Sequence, residues 1–280
     1  MHKKRKWSAF LVPVLFIAIG AGIFLYPHIS NWYMEKQQKK VIHQYQTSIA
    51  REKQEDIQKL WKAAITYNEN LSGDPVHDPF VKGSGYVLPK DYEEVLNVNH
   101  DGVMGHLTIS KINVSLPIYH GCGEEALKKG AGHLEGTSLP IGRNSQHAIL
   151  CAHRGLPSAL LFTKLNELEK GDSFRITVLD KTFFYEVDEI RVVKPKEVEK
   201  LRIIKGKDYV TLMTCTPYGI NTHRLLVRGK RVQAIHEVDV TSQEKEKTEN
   251  LWIIGGGIII LLSLVCVLKL RKKAKHEQGT

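Results

Sequence analysis

Two long uncharged apolar runs lie near the two ends of the chain. The first, at 7–26, reads WSAFLVPVLFIAIGAGIFLY, and the second, at 251–268, reads LWIIGGGIIILLSLVCVL. About 20 apolar residues suffice for a helix to cross the hydrocarbon core of a bilayer. We therefore predict two transmembrane helices. The alternative for the first run is a cleaved signal peptide, which a long apolar stretch without an A-x-A-like site disfavours; for the second it is a buried core helix.

The chain between these runs divides by its hydrophobic pattern. Residues 33–70 carry apolar side chains at helical spacing, which predicts one or two amphipathic helices. Residues 71–100 are rich in Gly, Pro and Asp and form a predicted connector. From 101 to 238, short runs rich in Val, Ile, Thr, Phe and Tyr alternate with turns, which indicates strands of a closed barrel or a sandwich. A polar stalk is predicted at 239–250.

The predicted strands occupy six runs, and one helical insert is predicted among them, around 157–168. The strand runs are 107–119, 147–152, 173–179, 182–193, 209–214 and 224–235.

Basic clusters flank both apolar runs on their terminal sides and supply most of the net charge of +10. A nucleic-acid-binding protein would show a basic face on its folded domain, so we expect no nucleic-acid partner. Basic flanks stay in the cytoplasm, which predicts that the tails 1–6 and 269–280 lie inside the cell. The helical extension at 27–70 and the β-rich region then lie on the extracellular face, which in a bacterium is the cell surface.

Residues able to do chemistry follow two of the predicted strands. Cys215 follows YVTLMT, and the seven-residue connection TPYGINT leads to a strand that opens with His223 and Arg224. A hairpin with this connection brings Cys215 near Arg224. His153 follows the apolar run HAILCA. If the two strands are neighbours, a His and a Cys meet at one rim.

A thiol, an imidazole and a guanidinium together suit acyl transfer. The thiolate is the nucleophile, the imidazole takes and returns a proton, and the guanidinium stabilises the oxyanion. A buried strand Cys is, however, more often an ordinary core residue. The residues by themselves leave open a thiol protease, a transpeptidase and a two-span non-catalytic surface scaffold. The four cysteines contain no CxxC pair, which argues against a zinc module or a disulfide-stapled domain.

Three segments resemble the sortase family. TLMTCTPYGINTHRLLVRGKR contains a TLxTC signature and the Arg strand, HAILCAHRGLPSALLFTKL resembles the histidine segment, and LPIYHGCGEEALKKGAGHLEGTSLP resembles the stretch after the barrel start. The similarity runs from about Tyr92 to Arg231. More narrowly, the chain resembles the pilus-assembling class C sortases, which combine an N-terminal helical extension, a lid with Asp-Pro-aromatic and a C-terminal span.

The resemblance implies a mainly β fold: a closed eight-stranded barrel at 101–238 with short helices. It implies that Cys215 is the nucleophile, His153 the general acid and base, and Arg224 the stabiliser of oxyanion and substrate. It implies no metal and no organic cofactor.

Two further groups of residues take implied roles from the same resemblance. The residues that complete the signature would shape the substrate groove, and the Asp-Pro-aromatic tripeptide would form the lid. The groove residues are Thr211, Leu212 and Thr214, and the lid residues are Asp78, Pro79 and Phe80.

The implied reaction is cleavage of an LPxTG-like motif between Thr and Gly, through a thioester, with transfer to a Lys amine of a pilin. The implied partners are pilins or surface proteins that carry this motif. A sortase that uses a cell-wall peptide amine, and a plain hydrolase, are alternatives with the same first step.

Three other cysteines need separate interpretation. Cys122 and Cys151 stand where the family resemblance leads us to expect small or hydroxyl residues, and a disulfide between them stays open because spacing does not fix connectivity. Cys266 lies in the second predicted span, where we expect it to be inert.

Overall fold

The computed structural model describes residues 3–71, 80 and 92–233. Tyr26–Ile235 form one compact unit, and the residues up to Leu25 belong to a separate one. The predicted stalk, second span and C-terminal tail lie outside the described residues, as do Asp78 and Pro79.

The described residues form three α-helices, and two of them supply the N-terminal extension. The helices are α1 (Lys3–Arg51), α2 (Gln54–Glu69) and α3 (Glu124–Lys129). In the described part of the chain, Leu15–Arg51 is the one stretch long and apolar enough, by length and composition, to cross a membrane. The pair α1 and α2 agrees with the helical periodicity seen at 33–70.

Both helices of the extension are held to the barrel by hydrogen bonds as well as apolar contacts. The Tyr45 hydroxyl on α1 donates to the Met104 carbonyl (3.0 Å) and accepts from the Leu179 amide (2.8 Å). On α2, the Asn68 side chain forms two hydrogen bonds with the backbone of Leu139. A buried hydroxyl or amide whose donor and acceptor are both hydrogen-bonded contributes to stability, whereas an unpaired one would reduce it. The extension is therefore an integral part of the folded unit.

Eight strands in the described residues close into a barrel with the order β1-β2-β3-β4-β7-β8-β6-β5. This confirms the closed eight-stranded barrel and excludes the sandwich. The strands are β1 (Val103–Ile109), β2 (Val114–His120), β3 (Ala131–His133), β4 (Gln146–Cys151), β5 (Ser173–Val178), β6 (Lys181–Val193), β7 (Asp208–Thr216) and β8 (His223–Val232).

The short elements differ from the sequence-based expectation. The run at 107–119 contains parts of two strands, with a 3-10 turn at Ser110–Ile112 between them. Strand β3 has three residues and α3 has six, too few for a periodic pattern to be visible. The stretch at 157–168 contains a 3-10 turn at Leu165–Glu167, not the longer helix expected there.

The barrel interior is filled by one large apolar cluster. Phe174 and Tyr185 stack inside it with ring centroids 5.4 Å apart. Gly229 on β8 makes room for them, because a Cβ at that position would lie 2.6 Å from the Phe174 ring. A smaller cluster, which includes Ile149, Cys151, Met213 and Leu226, lies against the end of β4 and β7.

Candidate active site

Parallel pairing of β4 and β7 brings His153 and Cys215 to the same rim of the barrel. The ladder ends with Cys151 opposite Met213, and the Ala152 amide then donates to the Met213 carbonyl (3.2 Å). Two residues further along each strand, this register sets His153 beside Cys215. Neighbouring strands lie about 5 Å apart, so the two backbones are close at this point. The sequence signalled both strand ends, but not that the strands pair.

Antiparallel pairing of β7 and β8 places Arg224 directly opposite Cys215. Opposite residues of such a pair point to the same face, with Cβ atoms about 5 Å apart. The connection between these strands is 217–222, six residues, because β7 extends through Thr216. The hairpin predicted from TPYGINT is therefore present, and it joins the thiol and the guanidinium at one rim.

The guanidinium of Arg224 is buried and held by backbone carbonyls. Its side chain is 3% exposed, and Nη1 donates to the carbonyls of Asn221 and His223, each at 3.1 Å. Asn221 lies in the connection before β8, and His223 is the first residue of β8. A guanidinium held in this way has a fixed orientation, and its planar set of donors is of the kind that recognises a developing oxyanion.

His153 is half-buried at the mouth of the site. Burial lowers its pKa below the ordinary value of 6.5, while Glu124 on α3 raises it and Lys128 lowers it. The imidazole is therefore neutral at pH 7 and able to accept a proton. The Phe162 amide donates to the His153 carbonyl (3.1 Å), so the loop 154–161 begins and ends next to His153.

Phe80 covers this group of side chains. Its ring lies 6.0 Å from the His153 ring, between centroids, and the Arg224 Cζ lies 5.1 Å from its centroid. The same ring packs on the smaller apolar cluster. Cys215, at the same rim, is 8% exposed. The aromatic residue of the expected lid thus occupies the site; the other two lid residues lie outside the described part of the chain.

The three residues expected to shape the groove are completely buried in β7. Thr211 shares a hydrogen bond with His147 Nε2 (2.8 Å), and the Thr214 hydroxyl donates to the Ala152 carbonyl (2.7 Å). Leu212 points into the main core. In this state all three support the strand, and contact with a substrate stays a prediction.

The other described cysteines are buried thiols near the site. Cys122, Cys151 and Cys215 are not in disulfides. The Cys122 thiol donates to the Gly132 carbonyl (3.4 Å), and Gly132 pairs with Cys151 across β3 and β4. In the described residues, no group of three or more His, Cys, Asp or Glu side chains is arranged to hold a metal ion.

The rim has supports that the sequence analysis missed. Arg154 Nη1 donates to the Thr216 hydroxyl (3.1 Å) and Nη2 to the side-chain oxygen Oδ1 of Asn166 (2.8 Å), which connects the chain segment after β4 with the end of β7. Gly155 has φ of +82°, and a Cβ there would lie 2.9 Å from the Tyr218 ring. The sequence shows a glycine two residues after His153, but it carries no signal of the contact with Tyr218.

The comparisons with known proteins agree on one family. A sortase domain model matches residues 107–232, which is the barrel from β1 to β8. Sortase C-1 from Streptococcus pneumoniae is 43% identical, with a TM-score of 0.66 over 70% of this chain and 100% of that chain. Sortase C-1 from Actinomyces oris is 47% identical, with a TM-score of 0.61 over 64% of this chain and 99% of that one.

A curated relative extends the similarity along the chain. Sortase A from Streptococcus agalactiae serotype III is 28% identical over 243 residues, 82% of this chain and 89% of the relative. The similarity to the sortase C structures is well above the level that supports a shared fold alone, and those structures are covered almost completely. The chain therefore belongs to the sortase family of cysteine transpeptidases, and its solved structural neighbours are class C sortases.

Proposed function

We propose that this sortase cleaves an LPxTG-like sorting motif between Thr and Gly and transfers the Thr acyl group to a pilin Lys amine, so that pilins are polymerised. The observation that carries the proposal is the convergence of Cys215, His153 and Arg224 at one rim under an aromatic cover. Two similar structures are described in terms of pili, one as a pilus-related sortase C and one with insights into pilin substrate specificity.

In the first half-reaction, Cys215 attacks the Thr carbonyl carbon and His153 accepts the thiol proton. The tetrahedral oxyanion receives hydrogen bonds from the Arg224 guanidinium. Collapse of this intermediate breaks the Thr–Gly bond, and His153 gives its proton to the leaving Gly amine. The enzyme then holds the Thr acyl group as a thioester on Cys215.

In the second half-reaction, a Lys amine attacks the thioester carbonyl and loses a proton to His153. Collapse releases the Cys215 sulfur, which recovers the proton from His153, and an amide bond joins the two substrates. A single oxyanion donor is worth about 3–4 kcal/mol of transition-state stabilisation. Because the guanidinium is already buried and oriented by two carbonyls, it needs little reorganisation when charge develops.

Asp78, Pro79 and Phe80 act as a lid in this proposal. Phe80 contacts both His153 and Arg224 and therefore occupies space that a bound sorting motif requires. Substrate entry thus requires the ring to leave, and the enzyme rests in an autoinhibited state. The groove residues act through strand β7, whose position is fixed by the buried side chains of Thr211, Leu212 and Thr214.

The proposed setting is the cell membrane. The apolar part of α1 supports an anchor at 7–26, and the sequence adds a second span at 251–268 that holds both termini in the cytoplasm. The helical extension, lid and barrel then lie on the extracellular face. Substrates that are tethered to the same membrane meet the enzyme at high effective concentration.

A partition experiment with the full-length enzyme in lipid nanodiscs tests this function. An LPxTG peptide is supplied with three acceptors together: water, a cell-wall peptide amine and a pilin with its Lys residues. The proposal expects the ligated product on the pilin Lys and no product from Cys215→Ala. Products only on the wall peptide would support a wall-anchoring sortase, products only from water a hydrolase, and unchanged product from Cys215→Ala would overturn the assigned nucleophile.

A further inference from the structure

Exposed apolar side chains form a surface beside the proposed active site. Leu160, Tyr218 and Ile220 are each more than half exposed and lie on the segments that follow β4 and β7. The contact of Tyr218 with Gly155 joins the two segments. We call these three side chains the apolar rim. Because the segments begin directly after His153 and Cys215, the apolar rim borders the cleft itself.

Helix α1 continues this surface. The Ser30 hydroxyl donates to the Ser158 carbonyl (3.2 Å), so that the segment carrying Leu160 is fastened to α1. Around Ser30, α1 displays further apolar side chains that are also more than half exposed, namely Tyr26, Ile29, Trp32 and Tyr33. The segment that carries Leu160 is therefore attached to the helix that provides the proposed anchor.

The position of Ser30 along α1 indicates how far the Ser30–Ser158 contact lies from the hydrocarbon core of the bilayer. The predicted span ends at Tyr26, and Ser30 lies four residues further on, about 6 Å along a helix axis. The headgroup layer on each side of the hydrocarbon core is about 5–8 Å thick. Trp and Tyr side chains concentrate at the interface of the bilayer, and Tyr26 is exposed where the predicted span ends. If the span ends at Tyr26 as predicted, the Ser158 carbonyl, which is bonded to Ser30, is expected at the depth of the headgroups.

The charges of the segment suit a lipid partner. Residues 154–163 read RGLPSALLFT and contain no acidic residue, and Lys164 follows in an exposed position. The free energy falls when exposed Leu and Tyr side chains enter the interfacial layer, and the adjacent basic groups are attracted to anionic headgroups.

We propose that the apolar rim rests on the outer surface of the bilayer, with phospholipid as its partner, so that the His153 side of the cleft faces the membrane. This inference rests on the membrane location proposed above. It means that a substrate still tethered to the bilayer presents its sorting motif to the cleft from the side on which it is anchored. The membrane then acts as one wall of the docking site.

Site-specific photocrosslinking tests the proposal. The full-length chain carries Cys215→Ala and is embedded in nanodiscs of phosphatidylcholine and phosphatidylglycerol. A benzophenone-bearing amino acid replaces Leu160 or Tyr218, or replaces Ile204, an exposed apolar residue in the segment before β7 at the opposite end of that strand. A fourth protein carries it in place of Ile19, inside the predicted span. Lipid adducts are read by intact mass.

We expect phospholipid adducts at 19, 160 and 218, and none at 204. Adducts at 19 alone, or equal yields at 160 and 204, would overturn the orientation while leaving the anchor intact. Loss of the adduct at 19 would overturn the membrane location and this inference together. An adduct at 160 with added LPxTG peptide in place of lipid would identify a substrate surface and overturn the lipid assignment.

A second variant tests whether the adduct at 218 depends on the apolar rim or only on the nearness of that residue to the bilayer. Leu160→Asp places a charge on the apolar rim and should abolish the lipid adduct at 218 while the adduct at 19 persists. Retention of the adduct at 218 in Leu160→Asp would contradict the docking role of the rim. Neither measurement depends on catalysis, so failure of the transpeptidase proposal would be seen separately.

Discussion

Phe80→Ala should uncover the thiol of Cys215. The ring of Phe80 contacts the Arg224 guanidinium and the His153 imidazole and packs on the apolar cluster beside the site. Its removal eliminates these contacts without changing the three groups to which we assign the chemistry. The reactivity of the thiol then reports how strongly the cover is held.

The contacts set the size of the effect. A cation–π contact of this kind contributes about 1 kcal/mol, and the apolar contacts of a half-buried Phe contribute about another 1 kcal/mol. Each 1.4 kcal/mol is a tenfold change in an equilibrium, so about 2 kcal/mol corresponds to about a 30-fold larger open population. If the reagent reaches the thiol only in the open form, the alkylation rate rises by the same factor.

Iodoacetamide alkylation of Cys215, followed by intact mass, measures this rate. Cys122 and Cys151 are buried and serve as internal standards, and Phe80→Leu is the matched control. Leu keeps an apolar cover but removes the cation–π contact, so it should give an intermediate acceleration. Equal alkylation rates in wild type and Phe80→Ala would show that the ring does not limit access to the sulfur.

Four further predictions concern the same chain. Arg224→Lys should lower kcat by about 10²–10³-fold, because it removes the planar donors that meet the oxyanion; peptide ligation rates measure this. Thr214→Val should destabilise the fold by about 1 kcal/mol and lower kcat, because the hydroxyl fixes the Ala152 carbonyl next to His153; urea unfolding and kinetics measure the two effects. Burial lowers the pKa of His153, so its NMR titration midpoint should lie below 6.5. Burial also raises the pKa of Asp208 to about 6 from 3.8, so the folded chain keeps a proton between these values that the unfolded chain has lost. Stability should therefore fall by about 3 kcal/mol as pH rises through this window, and Asp208→Asn should remove the slope in unfolding experiments.

Each of these predictions has an outcome that contradicts it. Full activity of Arg224→Lys would mean that a point charge suffices at the oxyanion. A stability loss without a change of kcat in Thr214→Val would reduce this residue to a structural role. A titration midpoint of His153 above 6.5 would indicate a charged partner, and the same pH slope in Asp208→Asn would assign the proton to another group.

The long elements could be predicted from the sequence because their patterns are local. The runs HAILCA, SFRITVL and YVTLMT lie within β4, β5 and β7 or reach one residue beyond them, as their β-branched residues indicate. The proximity of Cys215 and Arg224 followed from the short connection between β7 and β8. These inferences need only neighbouring residues.

The remaining features depend on contacts between distant segments. The parallel pairing of β4 with β7 joins strands more than 50 residues apart, and spacing carries no signal of it. The contact of Phe80 with the site is likewise long-range. The resemblance assigns Thr211 and Thr214 to the groove, and the structure adds that their hydroxyls form hydrogen bonds with His147 Nε2 and with the Ala152 carbonyl. A buried hydroxyl finds its partner only once the strands are assembled.

Intact mass spectrometry of the full-length enzyme with an LPxTG peptide can detect a thioester on Cys215 itself. We expect a mass gain on Cys215 from the peptide without its Gly. The gain should be larger in Phe80→Ala, and an added Lys amine should release it as a ligated product. An adduct on Cys122 or Cys151, or no adduct in either the wild type or Phe80→Ala while product still forms, would contradict a thioester on Cys215.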